Sequence, residues 1–273
     1  MSATGRAGYE YNYEFSVDDE IVLRYNYTLV PGKKTFLFEI RTIFILKKTD
    51  GVDEIMGSER CFAEISVNGE QEAELLFGFN WLASYRLKEY WMTEEDIARF
   101  DQDAIDFTKE IEADPGRAHR RTVPIGIYLK VCTVQQEGEE VGPALERVIR
   151  AEKLIPLYVY PLQMGLENGP PPAIPLGDMF RVFLWELERT RVEDLNQGLA
   201  MMQDCGVCLR APIVGDQISV LPSCGHAMHS HCIVGSLLEK RECPLCHSLV
   251  TFDPMAAYAN FDPADYEMSK TLA

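Results

Sequence analysis

The chain has 273 residues, a net charge of −17 and a sequence pI near 4.7, and is long enough to bury a sizeable core and to form more than one domain. Phosphate neutralisation needs clustered Lys and Arg, so this balance excludes general nucleic-acid binding and adhesion to an anionic membrane; the short basic stretch from Arg117 to Arg121 reads as a solvated loop. There is no run of 18 uninterrupted apolar residues and no apolar signal core in the first thirty, so a soluble, cytoplasmic or nuclear protein that spans no membrane is expected.

Residues 1–165 read as an acidic, β-rich domain with one or two helices. Tyr9, Tyr11, Tyr13 and Phe15 alternate onto one face, Leu23, Tyr25, Tyr27 and Leu29 repeat the pattern, and Phe36, Phe38, Ile40, Thr42, Phe44 and Leu46 extend it. Pro31-Gly32 and Asp50-Gly51 are turn signals, and Asn68-Gly69 lies between Cys61–Val67 and 72–77 as a hairpin requires. An antiparallel sheet or small sandwich follows, with the tyrosines packed on a half-exposed face. Cys61 and Cys132 fall in strand-like runs and are expected to be reduced core residues.

Thr93 and Asp96 make a capping-box-like start to a helix whose residues Ile97, Phe100, Ala104, Phe107 and Ile111 keep helical spacing, ending by Pro115. Ile127, Leu129, Val131 and Thr133 mark another strand, followed by a helical piece near Ala144–Lys153 and an apolar run over 154–162. Residues 166–177, with three consecutive prolines, read as a Pro/Gly linker. Residues 178–203 read as a long helix with Val192, Leu195, Leu199 and Met202 in heptad register over less than two heptads, a connecting helix more than a coiled coil. Residues 252–273 read as an acidic tail.

Between these last two segments lie residues 204–251, which from Cys205 to Thr251 carry three basic and three acidic side chains and a dense set of metal donors. The pattern is Cys205-x2-Cys208-x15-Cys224-x-His226-x2-His229-x2-Cys232-x10-Cys243-x2-Cys246, eight donors in 42 residues. A cysteine pair two residues apart lets one tight turn offer two thiolates to one ion, and four pairs fill two tetrahedral zinc sites with no position left for water. Such zincs are structural, and their binding is folding free energy of about 10 kcal/mol or more per site. His231 and His247 stand next to donors and compete for the ligand role on proximity alone.

This spacing resembles the RING finger of the two-histidine type. The resemblance covers the 42 residues of the motif and says nothing of residues 1–165. It implies interleaved pairs, with Cys205, Cys208, His229 and Cys232 on the first zinc and Cys224, His226, Cys243 and Cys246 on the second. It also implies a ubiquitin ligase that holds a ubiquitin-charged conjugating enzyme and promotes transfer to a substrate lysine by proximity and orientation, without a covalent intermediate. In the family the enzyme is met by an apolar groove, which here points to Val207, Leu237 on the short helix 233–239, Pro244 in Cys-Pro-Leu-Cys, and His247. Two positions depart from the pattern. Ser236 stands where the family often has Trp, and His247 where many members have an Arg that bridges conjugating enzyme and ubiquitin. These departures favour a rival reading, a zinc-dependent protein-interaction module that transfers nothing. The expected architecture is α+β: an antiparallel β-rich N-terminal domain, a connecting helix and a cross-braced two-zinc finger.

Overall fold

A computed structural model describes residues 8–24, 34–67, 85–117, 119–156, 180, 183–184 and 187–251. The chain is α+β and divides into two compact units, the first holding residues 1–150 and 162–167, the second residues 151–161 and 168–273. The predicted strands at 25–29 and 72–77, the turns at Pro31-Gly32 and Asn68-Gly69, the linker and the tail lie outside the described residues.

The first unit is built on a four-stranded sheet of β1 (Tyr9–Val17), β2 (Lys34–Lys47), β3 (Asp53–Val67) and β4 (Thr122–Val134), in the order β1-β4-β2-β3. The outer pairs are antiparallel, with Tyr13 opposite Leu129 and Ile40 opposite Cys61. The central pair, β2 with β4, is parallel, so the antiparallel expectation needs amending at the middle of the sheet. A parallel pair needs a crossover connection, and β3 and the helix α2 (Glu94–Ala113) lie between β2 and β4 in the chain. β2 is buried along nearly its whole length, as a near-continuous apolar strand should be. Its register with β3 shifts after Phe44, beside Gly57, whose φ of 144° is open to glycine and rarely to other residues.

The tyrosine stripe of β1 packs inward, with Tyr9 and Tyr11 buried and Tyr13 and Phe15 half-buried. Tyr13 meets Phe100 of α2 edge-on at 4.9 Å, Phe15 stacks on Phe107 at 5.5 Å, and the Tyr11 hydroxyl donates to the Tyr90 carbonyl at 2.8 Å. Thr93 caps α2 as its sequence predicts, its hydroxyl oxygen accepting from the Asp96 N–H at 3.1 Å, and the helix stops at Ala113 before Pro115. Leu23 is a correction: it sits in a short helix, α1 (Glu20–Arg24), and is 77% exposed, because Asp18 accepts the Glu20 N–H and starts a turn where the alternation suggested a strand. Arg86 is buried with Glu59 and Glu89, its Nη1 donating to Glu89 at 2.6 Å, so that its charge is matched inside the fold. α3 (Val141–Glu146) packs against Leu46 through Ala144, with Val148 just beyond its end in the same cluster.

In the second unit a 3-10 turn (Ala151–Lys153) leads to the buried Leu154 and Ile155. The continuous helix expected over 178–203 is not formed. Thr190 and Arg191 are a strand, β5, paired with the open edge of the hairpin β6 (Gln217–Val220) and β7 (Ala227–His229), and the Val192 N–H donates to the Asp216 carbonyl at 2.9 Å. The edge of that hairpin offers hydrogen bonds that a helix through Thr190 would forgo. Helix α4 (Leu195–Met201) begins only after Asp194, whose carboxylate accepts the Gln197 N–H. The heptad stripe is split accordingly: Val192 and Met202 are buried, Leu195 and Leu199 exposed. Helix α5 (Ser230–Glu239) packs on β6 and β7, and Arg241 beyond its end lies over the ring of the buried Phe180 at 4.4 Å.

Candidate metal centre

Two turns supply half of the donors, and they are built alike. At Cys205–Cys208 the Leu209 N–H donates to the Cys205 carbonyl (2.8 Å) and the Cys205 N–H to the Arg210 carbonyl (2.9 Å). At Cys243–Cys246 the His247 N–H donates to the Cys243 carbonyl (2.9 Å) and the Cys243 N–H to the Ser248 carbonyl (2.9 Å). Leu209 and His247 both take left-handed backbone, φ 59° and 58°. That conformation costs a non-glycine residue about 1–2 kcal/mol, and the paired hydrogen bonds hold it. A third tight turn, with Gly225 at φ 73° and its N–H on the Leu221 carbonyl at 2.7 Å, presents Cys224 and His226. His229 ends β7, and Cys232 stands in the first turn of α5.

The turns bring the donors into two groups. Cys205, Cys208, His229 and Cys232 form one, Cys224, His226, Cys243 and Cys246 the other, and within each all donor atoms lie within 4.8 Å of one another. His229 Nδ1 is 3.3 Å from Cys208 Sγ, and His226 Nδ1 is 3.3 Å from Cys224 Sγ and 3.6 Å from Cys243 Sγ. Each group joins one early pair to one late pair, which is the interleaved arrangement. His231 lies outside both sets; its ring stacks on His229 at 5.6 Å, and its Nε2 approaches Cys232 Sγ at 3.3 Å. His247 is also outside them, on the exposed rim.

Three thiols and an imidazole at mutual contact are the donor chemistry of tetrahedral structural zinc. The electrostatics agree. Cys232 beside it holds the Cys205 thiol down at about 2, while Cys232 itself is pushed well above the ordinary thiol range by Cys205. Neighbouring thiols resist ionising together, and a dication among them removes that resistance. In the second group the Ser248 hydroxyl, 2.9 Å from Cys246 Sγ, and the Ser248 N–H bring Cys246 down to about 6. The first group is largely buried; the second is open at Cys246. The fold and the donor sets define a cross-braced finger with two structural zinc ions.

Residues 203–247 match the family described as the Ring finger domain, and with two histidines among the eight donors this is a RING finger of the two-histidine type. The chain is 37% identical over 136 residues to the E3 ubiquitin-protein ligase ATL4 of Arabidopsis thaliana, a match covering 48% of this chain and 31% of that protein. It is 40% identical over 57 residues to the E3 ubiquitin-protein ligase Os04g0590900 of Oryza sativa subsp. japonica, covering 21% and 15%, and 44% identical over 50 residues to the RING-H2 finger protein ATL13 of Arabidopsis thaliana, covering 18% and 11%. The chain thus spans less than a third of the length of these relatives.

The four residues expected to meet a partner are placed differently from one another. Val207 is exposed (41%), Pro244 is half-buried, and His247 is exposed. Leu237 is fully buried, and the assignment of a contact role to it is corrected: its helical spacing from Ile233 turns it inward onto the hairpin, not out to a groove. Leu245, passed over in the sequence, is 45% exposed, and its side chain lies against Gly206: a Cβ added at Gly206 would come within 2.5 Å of Leu245 Cδ2. Leu209 is exposed as well. The signal that could have found Leu245 is its place between Pro244 and Cys246, equivalent to Val207 in the matching turn. Asp216 was also missed; burial works against its charge, but His229, Lys153 and the Ile213 N–H hold its carboxyl down at about 2.

Proposed function

We propose that this protein is a RING-type ubiquitin ligase of the cytoplasm or nucleus, whose finger binds a ubiquitin-charged conjugating enzyme and promotes transfer to a lysine of a substrate protein. The observation that carries this reading is the pair of exposed aliphatic side chains, Val207 and Leu245, set at equivalent positions of the two matching turns, with Leu245 of one turn lying against Gly206 of the other. Elsewhere in the finger Ile218, Leu221, Met228, Ile233, Val234 and Leu237 are buried, while Leu209, Val220 and Leu249 are exposed and widen the apolar surface. Exposed aliphatic residues held on zinc-fixed turns suit a partner that must be oriented, and Pro244 stiffens the rim between them. The named ligases among the relatives support the same reading.

The chemistry asked of the finger is orientation. The zincs keep the two turns in register, the apolar pair docks the enzyme, and His247 on the rim offers ring N–H donors toward it, fewer than an arginine would. The rival reading, a binding module without transfer, is favoured by Ser236 and His247.

Single-turnover discharge of ubiquitin from a panel of charged conjugating enzymes separates the two. The intact protein accelerates discharge, and Val207→Glu abolishes the acceleration while keeping two zincs per chain. If no enzyme of the panel is discharged faster by the fully metallated protein, the ligase reading fails and the binding module stands.

A further inference from the structure

His229 is buried, and its two ring nitrogens face different tasks. Nδ1 points into the first donor group, 3.3 Å from Cys208 Sγ. Nε2, on the far side of the ring, lies 3.1 Å from Asp216 Oδ2, a charge contact in which the ring N–H is not aligned for a hydrogen bond, and among the described residues no other group accepts from it. Asp216 is itself buried and held from two further sides: the Ile213 N–H donates to Oδ2 at 3.1 Å, and Lys153 Nζ lies 3.2 Å from Oδ1. Lys153 belongs to the 3-10 turn that opens the second unit, 52 residues before the first cysteine donor. Among the described residues the other metal histidine shows no such arrangement: His226 is half-buried, and its Nδ1 lies against Cys224 and Cys243 of its own group.

We propose that Asp216 and Lys153 are positioning residues for the first zinc: Asp216 fixes the ring and tautomer of His229 so that Nδ1 faces the metal, and Lys153 holds Asp216 in place. A histidine can present a lone pair from Nδ1 only when its proton is on Nε2, and a buried carboxylate 3.1 Å from Nε2 favours the proton there and raises the basicity of the nitrogen that binds metal. Lys153 leaves Asp216 neither an unmatched charge nor freedom to rotate. The first site is therefore tied to a segment outside the family's matched residues 203–247, and a finger cut to those residues lacks the Lys153 end of the brace. The inference concerns metal retention and stands apart from ligase activity.

The test uses the full-length protein with two zincs bound and compares Asp216→Ala, Asp216→Asn and Lys153→Met. Zinc affinity is measured by competition with a chelator, and the ring nitrogens of His229 and His226 are followed separately by nitrogen-15 NMR. Asp216→Ala is expected to weaken the first site by about 10- to 100-fold, to shift the His229 Nε2–H signal and speed its exchange with water, and to leave His226 and the second zinc unchanged. Asp216→Asn, nearly the same in shape, and Lys153→Met should move the same signals in the same direction by less. The proposal is overturned if Asp216→Ala holds its first zinc within twofold of the parent, or if both sites weaken together in Asp216→Ala and Asp216→Asn alike, which is the mark of general unfolding. A Lys153→Met protein with the parent's His229 signal and affinity removes Lys153 from the brace.

Discussion

The sheet unit and the finger unit solve the same problem with different means. The sheet unit surrounds β2 and β4 with side chains, and Tyr11, Phe36, Phe44, Tyr90 and Phe100 are all fully buried there. The finger has shorter strands, of four and three residues in its hairpin, and draws its rigidity from two metal sites that tie together segments distant in sequence. A unit held by packing loses stability gradually as side chains are trimmed, whereas one held by metal stands or falls with its ions.

Removing the zincs should show the contrast at its greatest. With a strong chelator the finger loses about 10 kcal/mol or more per site and unfolds, while β2 and β4 stay ordered. Amide hydrogen exchange resolved by residue checks this, and simultaneous loss of protection at Ile218 and Ile127 would mean that the two units are not separately held.

The converse change is Phe100→Ala, which opens a cavity between α2 and β1. It should cost the sheet unit about 3–5 kcal/mol and leave zinc content and finger protection unchanged, as metal analysis beside denaturant unfolding would reveal. A lowered zinc content in that variant would break the distinction.

A smaller effect, confined to the sheet unit, comes from Asp101. It is buried on α2, and neither carboxylate oxygen has a hydrogen-bond partner among the described residues. Burial pushes its carboxyl up from 3.8 to about 7. The unfolded chain gives up this proton near 3.8, while the folded chain keeps it to about 7, so the contribution is complete below about pH 4, declines as pH rises to about 7, and is flat above. Unfolding midpoints of the parent and Asp101→Asn, measured between about pH 4 and pH 8, should therefore diverge in the variant's favour as pH rises, and parallel curves would assign the carboxyl an ordinary titration.

Legibility in the sequence follows from how local each cause is. The spacing of the cysteine pairs is a property of single turns, and so is the Thr93–Asp96 cap, which the structure reproduces at 3.1 Å. The alternation of β1 and the stripe of α2 are equally local, since each records which side of one element is to be buried. The interleaving of the four pairs was available only through resemblance to a family, because spacing alone permits other pairings.

Where an element's fate depends on a distant partner, the sequence reading went astray. Thr190 and Arg191 leave the expected helix because β6 offers an edge to them, and Leu237 turns inward because the hairpin lies beneath α5. By itself the sequence determined the donor pairs, the capped helix and the apolar faces, all encoded within a few neighbouring residues. The parallel pairing of β2 with β4, the exposure of Leu245 over Gly206, and the meeting of Lys153, Asp216 and His229 were decided by tertiary structure, because each joins residues that only the folded chain brings within a few ångströms.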